Sequence, residues 1–164
     1  MSNIFSYSKL ETYNKCPQKY KLTYVDKIDV KEESIEAFVG KIVHEVLEQI
    51  YSLDNDTLTF ITFDYIESKY NEIWKEKYHD KLYLAHCKVK YKKKAERKKY
   101  TSIWFKAQGL NYLRSYYMQY GPNFSNINVV AVEKKIEFKI SKYKIVGYID
   151  RLDKVDNNFI INDY

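Results

Sequence analysis

Apolar residues in the first three quarters of the chain recur every three or four positions, which is the spacing of one buried face of an α-helix. The clearest stretch follows Ser34, a residue type that caps helix starts, and contains Phe38, Val39, Ile42, Val43, Val46, Leu47 and Ile50. A second stretch contains Phe63, Ile66, Tyr70, Ile73 and Trp74, and a third contains Ile103, Ala107, Leu110, Leu113 and Tyr117. The pattern predicts a mainly helical region over residues 1–122, which ends at Gly121-Pro122.

Two shorter helices are predicted near the amino terminus. Ser8 and Glu11 have the spacing of a capping box, in which the hydroxyl accepts from a backbone N–H three residues on and the carboxylate reaches back. Pro17 suits the first turn of the next helix, where its missing N–H has no partner to lose. We therefore expect helix starts at Ser8 and at Pro17.

The period changes to alternation after residue 128. Apolar residues occupy every second position at Val130 and Val132, then at Ile136, Phe138 and Ile140, then at Tyr143, Ile145, Gly147 and Ile149. Ser141-Lys142 and Asp156-Asn157-Asn158 are placed as turns. Residues 128–164 are thus predicted to form an antiparallel or mixed sheet. The whole chain, 1–164, is interpreted as a single domain of mixed α+β class.

Composition narrows the class of protein. The 164 residues are long enough to bury a core, and no apolar run approaches the roughly 18 residues that cross a bilayer. The amino terminus has neither a basic leader nor an apolar signal segment, so we expect a cytoplasmic protein with no membrane partner. Cys16 and Cys87 form no C-x-x-C pair, which fits a reducing compartment and excludes a complete metal-thiolate site.

A net charge of +6 favours a polyanionic partner. The basic residues are densest between Lys88 and Lys99, where Glu96 is the single acid. Such a stretch is either a solvated surface or a track for phosphates. If it binds nucleic acid, the candidates are Lys92, Lys93 and Lys94.

Two aspartates are brought together by simple hairpin geometry. If the turn is centred between Asp156 and Asn157, Asp150 and Asp163 face each other with Cβ atoms roughly 5 Å apart. Two carboxylates held so close repel, and a divalent cation between them would reverse the sign of that interaction. The alternative is that both merely end their strands as solvated residues.

Five segments occur in order along the chain: 5–20 (FSYSKLETYNKCPQKY), 40–48 (GKIVHEVLE), 132–133 (VE), 147–153 (GYIDRLD) and 160–164 (IINDY). Together they resemble the signatures of the RecB/AddB-like branch of the PD-(D/E)XK nuclease superfamily. The resemblance covers the chain from end to end and implies a restriction-endonuclease-like core.

The resemblance also implies roles for particular residues. Asp150 would be the central metal-binding aspartate and Asp163 the acid of the D-x-K element. Glu133 would be the upstream acid, with Glu137 as the alternative because the alternation does not separate them. His44 would be an additional metal-site residue, although a histidine on an apolar helix can equally be a core residue.

The implied chemistry is metal-dependent hydrolysis of a phosphodiester. Carboxylates suit Mg²⁺ or Mn²⁺, and an imidazole in the set is easier to reconcile with Mn²⁺. The family's lysine, two residues after the second acid, would directly follow Tyr164. We therefore expect a truncated chain or a fragment, which has weak activity or none.

The sequence leaves two alternative roles open for each of two residues, Cys16 and Arg151. In some members of this branch a cysteine at the position of Cys16 joins three carboxy-terminal cysteines on a [4Fe–4S] cluster, so Cys16 would be a cluster ligand only if such cysteines exist. Otherwise a buried structural thiol is expected. Arg151 is a candidate phosphate contact, and a salt bridge with Asp153 or Glu133 is equally compatible with the sequence.

The function implied by the resemblance is that of a DNA exonuclease of recombination or repair, with a helicase or another recombination or CRISPR subunit as a partner. Two alternatives remain at this point. One is a nucleic-acid-binding module without catalysis, and the other is a helical scaffold whose basic surface docks an acidic protein.

Overall fold

The computed structural model of the chain describes residues 4–28, 33–79, 81–83, 102–121, 124 and 127–164. Structural statements below concern these residues. The basic stretch 88–99, with the candidates Lys92, Lys93 and Lys94, lies outside them, as does Cys87.

Helices dominate the first part of the described chain, as predicted. They are α1 (Tyr7–Lys15), α2 (Pro17–Tyr20), a π-helical turn (Lys21–Val25), α3 (Ile35–Tyr51), α4 (Asn55–Thr59), α5 (Phe63–Lys77) and α6 (Ser102–Tyr120). The strands are β1 (Ile4–Phe5), β2 (Glu33–Ser34), β3 (Leu82–Tyr83), β4 (Val129–Ile140), β5 (Tyr143–Val155) and β6 (Asn158–Asn162). The predicted mixed α+β class is confirmed.

Strand β5 is the centre of the main sheet. One of its edges pairs with β4, antiparallel, along most of its length. The other edge pairs with β1, in parallel, at Lys144 and Ile145, and with β6, antiparallel, from Arg151 to Val155. Strands β2 and β3 form a separate parallel pair. The sheet is therefore mixed, and its central strand carries Asp150.

The core lies between α3, α5 and α6. The predicted stripe of α3 is buried, with Val43 at its partly buried edge. On α6 the predicted face is wrong in part, since Ile103 is 78% exposed while Phe105, Gly109 and Leu113 are buried. Tyr70 of α5 explains the difference: its hydroxyl donates to the Lys106 carbonyl, and a Cβ at position 109 would clash with it. The close approach at glycine therefore sets which face of α6 is buried.

The helix starts are confirmed at two of three positions. Ser34 accepts from the Ala37 N–H at 3.1 Å, and Pro17 begins α2. The start at Ser8 is wrong, because the cap of α1 is Ser6, whose hydroxyl accepts from the Lys9 N–H at 3.2 Å. Strand β1 ends at Phe5, so Ser6 keeps the extended backbone that a cap requires.

The hairpin predictions hold for the turns. Ser141 and Lys142 connect β4 to β5, and Asp156 and Asn157 connect β5 to β6. The pairs of β5 and β6 run from Val155 with Asn158 to Arg151 with Asn162, which is the register that places Asp150 opposite Asp163. Among the described helices, none has the length and apolar character needed to cross a membrane.

Candidate metal centre

Three side chains from separate elements converge beside the sheet. His44 Nε2 lies 3.1 Å from Asp150 Oδ2 and 3.6 Å from Glu133 Oε1. One nitrogen or oxygen atom from each residue lies within 4.8 Å of the other two. All three side chains are partly buried, so the cluster is sheltered and still reachable from solvent. An imidazole nitrogen and two carboxylate oxygens at this spacing can hold a divalent cation.

Helix α3 brings His44 to the sheet. Its buried residues, among them Val46 and Leu47, pack into the core, and the helix contacts both β4 and β5. His44 lies at the border of that buried face and reaches across to Asp150. The histidine is therefore aimed by the packing of the whole helix.

Glu133 is delivered by a distorted strand. The register between β4 and β5 shifts between Val129 and Ala131, and Glu133 itself has a φ of 49°. This left-handed conformation costs free energy for any residue other than glycine. It persists where the surrounding structure enforces it, and such residues are often found at functional sites. Its carboxylate lies beside His44 and Asp150.

The Glu133 carboxylate also fits the metal that the cluster implies. Its Oε1 atom is buried and has no hydrogen-bond partner among the described residues. Burial is the main cause that raises the pKa of Glu133 above its ordinary value, with the charge of Asp150 acting in the same direction and His44 opposing it. A cation would satisfy the orphaned oxygen and favour the ionised carboxylate.

Glu137, the alternative upstream acid, lies elsewhere. Its carboxylate pairs with Lys135 at 2.7 Å and with Lys144 at 2.6 Å. Hydrogen bonds to these lysines lower the pKa of Glu137 to about 2. The structure thus brings Glu133, and not Glu137, to the cluster.

Asp163 stands at the rim of the cluster, one residue beyond the end of β6. The neighbouring Asp150 carboxyl, through hydrogen bonding and then through its charge, raises the pKa of Asp163, and burial acts in the same direction. Asp163 is exposed and is not one of the three residues that converge within 4.8 Å. The register of the β5–β6 hairpin places it opposite Asp150.

Tyr164 belongs to the same site, although its sequence context gave it no role. Its backbone N–H donates to Asp150 Oδ2 at 3.2 Å, and its ring lies 5.2 Å from that of His44. Burial raises the pKa of the Tyr164 phenol, so the hydroxyl stays protonated at neutral pH. Tyr164 therefore contacts both Asp150 and His44.

Arg151 is turned inward, in one of the two arrangements that the sequence left open. The side chain is buried, and its Nε and Nη2 atoms lie 3.1 and 3.0 Å from Asp153 Oδ2. Its Nη1 donates to the Tyr116 hydroxyl at 3.1 Å. The guanidinium therefore points into the protein, toward Asp153 and Tyr116.

The expectation of a buried thiol at Cys16 is wrong, because Cys16 is exposed. The residue caps α2, where Sγ accepts from the Lys19 N–H at 3.4 Å. Because Pro17 is the first residue of α2, Cys16 is the capping residue, and it is exposed to solvent.

A cleft of about 710 Å³ opens beside His44. Glu48 lines it one helical turn beyond His44, and its charge helps to raise the pKa of Glu133. Lys41 and Lys77 also line it, paired with Glu33 and Glu45. The sequence offered a signal for Glu48, because residues four apart share one helix face. The cleft therefore reaches the cluster on the side of His44 and Tyr164.

Comparison with known proteins agrees with this geometry. No curated protein and no solved structure was found to match the chain. A family model described as the PD-(D/E)XK nuclease superfamily matches residues 4–164, which is nearly the whole sequence. The matched region contains the mixed sheet and every residue of the cluster. The chain therefore belongs to the PD-(D/E)XK nuclease superfamily.

Proposed function

We propose that this protein hydrolyses phosphodiester bonds in DNA, with Mn²⁺ or Mg²⁺ held by His44, Glu133, Asp150 and Asp163. The observation that carries the proposal is the orphaned Glu133 Oε1 atom, buried on a strained backbone beside two other metal-binding side chains. Strain and an unpaired buried oxygen both cost free energy, and a bound cation would offset that cost.

The residues of the site would divide the work. When bound, the cation polarises a phosphoryl oxygen and lowers the pKa of a water molecule. The Tyr164 N–H donates to Asp150 Oδ2 and would help to orient that carboxylate. His44 supplies a nitrogen ligand, which favours Mn²⁺ over the harder Mg²⁺. Glu133 and Asp163 supply charge on two sides of Asp150.

The finer parts of the proposal rest on the sequence resemblance. They are exonucleolytic action, a role in recombination or repair, a cytoplasmic location, and a helicase or CRISPR subunit as a partner. The net charge of +6 supports DNA as the polyanion. Binding of DNA without cleavage would instead favour the non-catalytic nucleic-acid-binding module.

The decisive experiment is Mn²⁺ calorimetry on matched glutamate variants. Glu133→Gln should weaken Mn²⁺ binding at least tenfold, about 1.4 kcal/mol, because a neutral amide replaces a charged ligand. Glu137→Gln, four residues along the same strand, should leave the Kd unchanged, since that carboxylate pairs with lysines. Equal isotherms for wild type and Glu133→Gln would overturn the metal assignment. Cleavage of labelled DNA in Mn²⁺, lost in Asp150→Asn, tests the activity itself.

A further inference from the structure

The position of Asp163 needs an explanation. It follows the last paired residue of β6, where a strand end frays easily, and it faces the like-charged Asp150. Two carboxylates at a strand end repel each other when no cation lies between them. Contacts close to Asp163 must therefore hold it in place.

A buried polar cluster lies directly behind that strand end. Asn162 Nδ2 donates to Asp153 Oδ2 at 2.8 Å, across the hairpin. The same oxygen accepts from Arg151, which is the backbone partner of Asn162 in the register. Arg151 and Asp153 are each 6% exposed. Hydrogen bonds between buried polar groups are strong, and the loss of one partner is costly.

Helices α3 and α6 anchor the cluster. The Arg151 guanidinium lies 4.0 Å from the centre of the Tyr51 ring, and Nη1 donates to the Tyr116 hydroxyl. The two tyrosine hydroxyls are 2.8 Å apart. Position 51 is seven residues from His44, so both side chains lie on the same side of α3, two turns apart.

We propose that Asn162, acting through Asp153 and Arg151, is a positioning residue that holds Asp163 ready to bind the cation. The inference rests on the proposed function. The same three segments are joined twice: α3 and β5 supply His44 and Asp150 to the metal site, and the residue directly after β6 supplies Asp163. They also supply Tyr51, the Arg151–Asp153 pair and Asn162 to the cluster behind it. The contacts of the polar cluster do not depend on a cation. They hold Asp163 beside Asp150 against the repulsion between the two carboxylates.

The test compares two asparagines of β6. Asn162→Ala should raise the Kd for Mn²⁺ about tenfold, the lower end of the effect of losing a partner that orients a metal ligand. Asn158→Ala, at the turn end of the strand, should leave the Kd unchanged. In an Asp163→Asn background, Asn162→Ala should cause no further loss, because its effect passes through Asp163. Equal Kd values for the two alanine variants, or an undiminished loss in that background, would overturn the proposal.

A measurement without metal separates this inference from the proposed function. The Tyr164 amide, bonded to Asp150, should exchange with deuterium faster in Asn162→Ala than in wild type or in Asn158→Ala. If wild type binds no Mn²⁺, the proposed function fails, while faster exchange in Asn162→Ala still supports the positioning role of Asn162. Unchanged exchange would overturn that role. If Asn162→Ala folds poorly, Asn162→Thr removes the amide and retains high strand propensity, so the same comparisons apply.

Discussion

The two ends of the β4–β5 hairpin have different surroundings. At the end that carries Asp150, Arg151 and Asp153 are 6% exposed although both are charged. At the turn end, Phe138 and Ile140 are 50% and 58% exposed although both are apolar. Helix α3 contacts the first end, and its neighbour α6 supplies a hydrogen bond there. Burial of a side chain in this sheet is therefore set by the helices that lie over it. The alternation of residues determines only the face of the sheet on which the side chain lies.

The two glutamates of β4 make the same contrast in electrostatic terms. Glu133 is partly buried, its Oε1 atom has no hydrogen-bond partner in the part of the chain that the structure describes, and its pKa is raised. Glu137 is held by two lysines in solvent, which lower its pKa. Four residues along one strand thus separate a partly buried carboxylate with a raised pKa from an exposed one that is paired with two lysines.

The largest effect should come from breaking the buried pair at the site end. Arg151→Ala leaves Asp153 buried without its main donor, and we expect a loss of about 3–5 kcal/mol in the free energy of unfolding. Urea denaturation followed by circular dichroism would measure it.

The matched control is Lys144→Ala, which removes one lysine from the exposed Glu137 pair. Exposed ion pairs contribute little, so its midpoint should hardly move. Similar losses in the two variants would contradict the contrast between the ends.

The pH dependence of stability should have opposite signs at the two glutamates. Glu133 has a folded pKa above its ordinary 4.5, so its ionisation opposes folding, and metal-free protein should lose stability as pH rises through that folded pKa. Glu133→Gln should remove this loss. Glu137 has a folded pKa near 2, so its contribution is present above about 4.5 and disappears as pH falls toward 2. Urea midpoints of both Gln variants across pH would show whether the slopes differ in sign.

The smallest effect is expected at the turn end of the hairpin. Phe138→Thr replaces a half-exposed apolar side chain by a residue that favours strands, so stability should change by no more than about 0.5 kcal/mol. Thermal unfolding would measure the change. A loss as large as that of a core residue would show that something covers this surface in solution.

Local rules predicted much of the site. The turn at Asp156 and Asn157 set the register that brings Asp150 to Asp163, because pairing in a hairpin follows from its turn. The apolar stripe placed His44 on a helix that packs against the sheet.

What sequence could not supply came from contacts distant along the chain. The register shift between Val129 and Ala131 interrupts the alternation, and no glycine marks the positive φ of Glu133. The partner of Arg151 on α6 is 35 residues away, so no local pattern indicates it. Such contacts depend on how the helices pack on the sheet.

Helix α3 sets the spacing between the candidate metal site and the polar cluster behind it. His44 and Tyr51 each meet a partner on β5, and two helical turns separate them. One inserted residue would rotate one side chain by about 100° relative to the other. The stretch between them should therefore tolerate substitution of its exposed residues and resist any change of length, whereas the turn between β4 and β5 should accept insertions more readily.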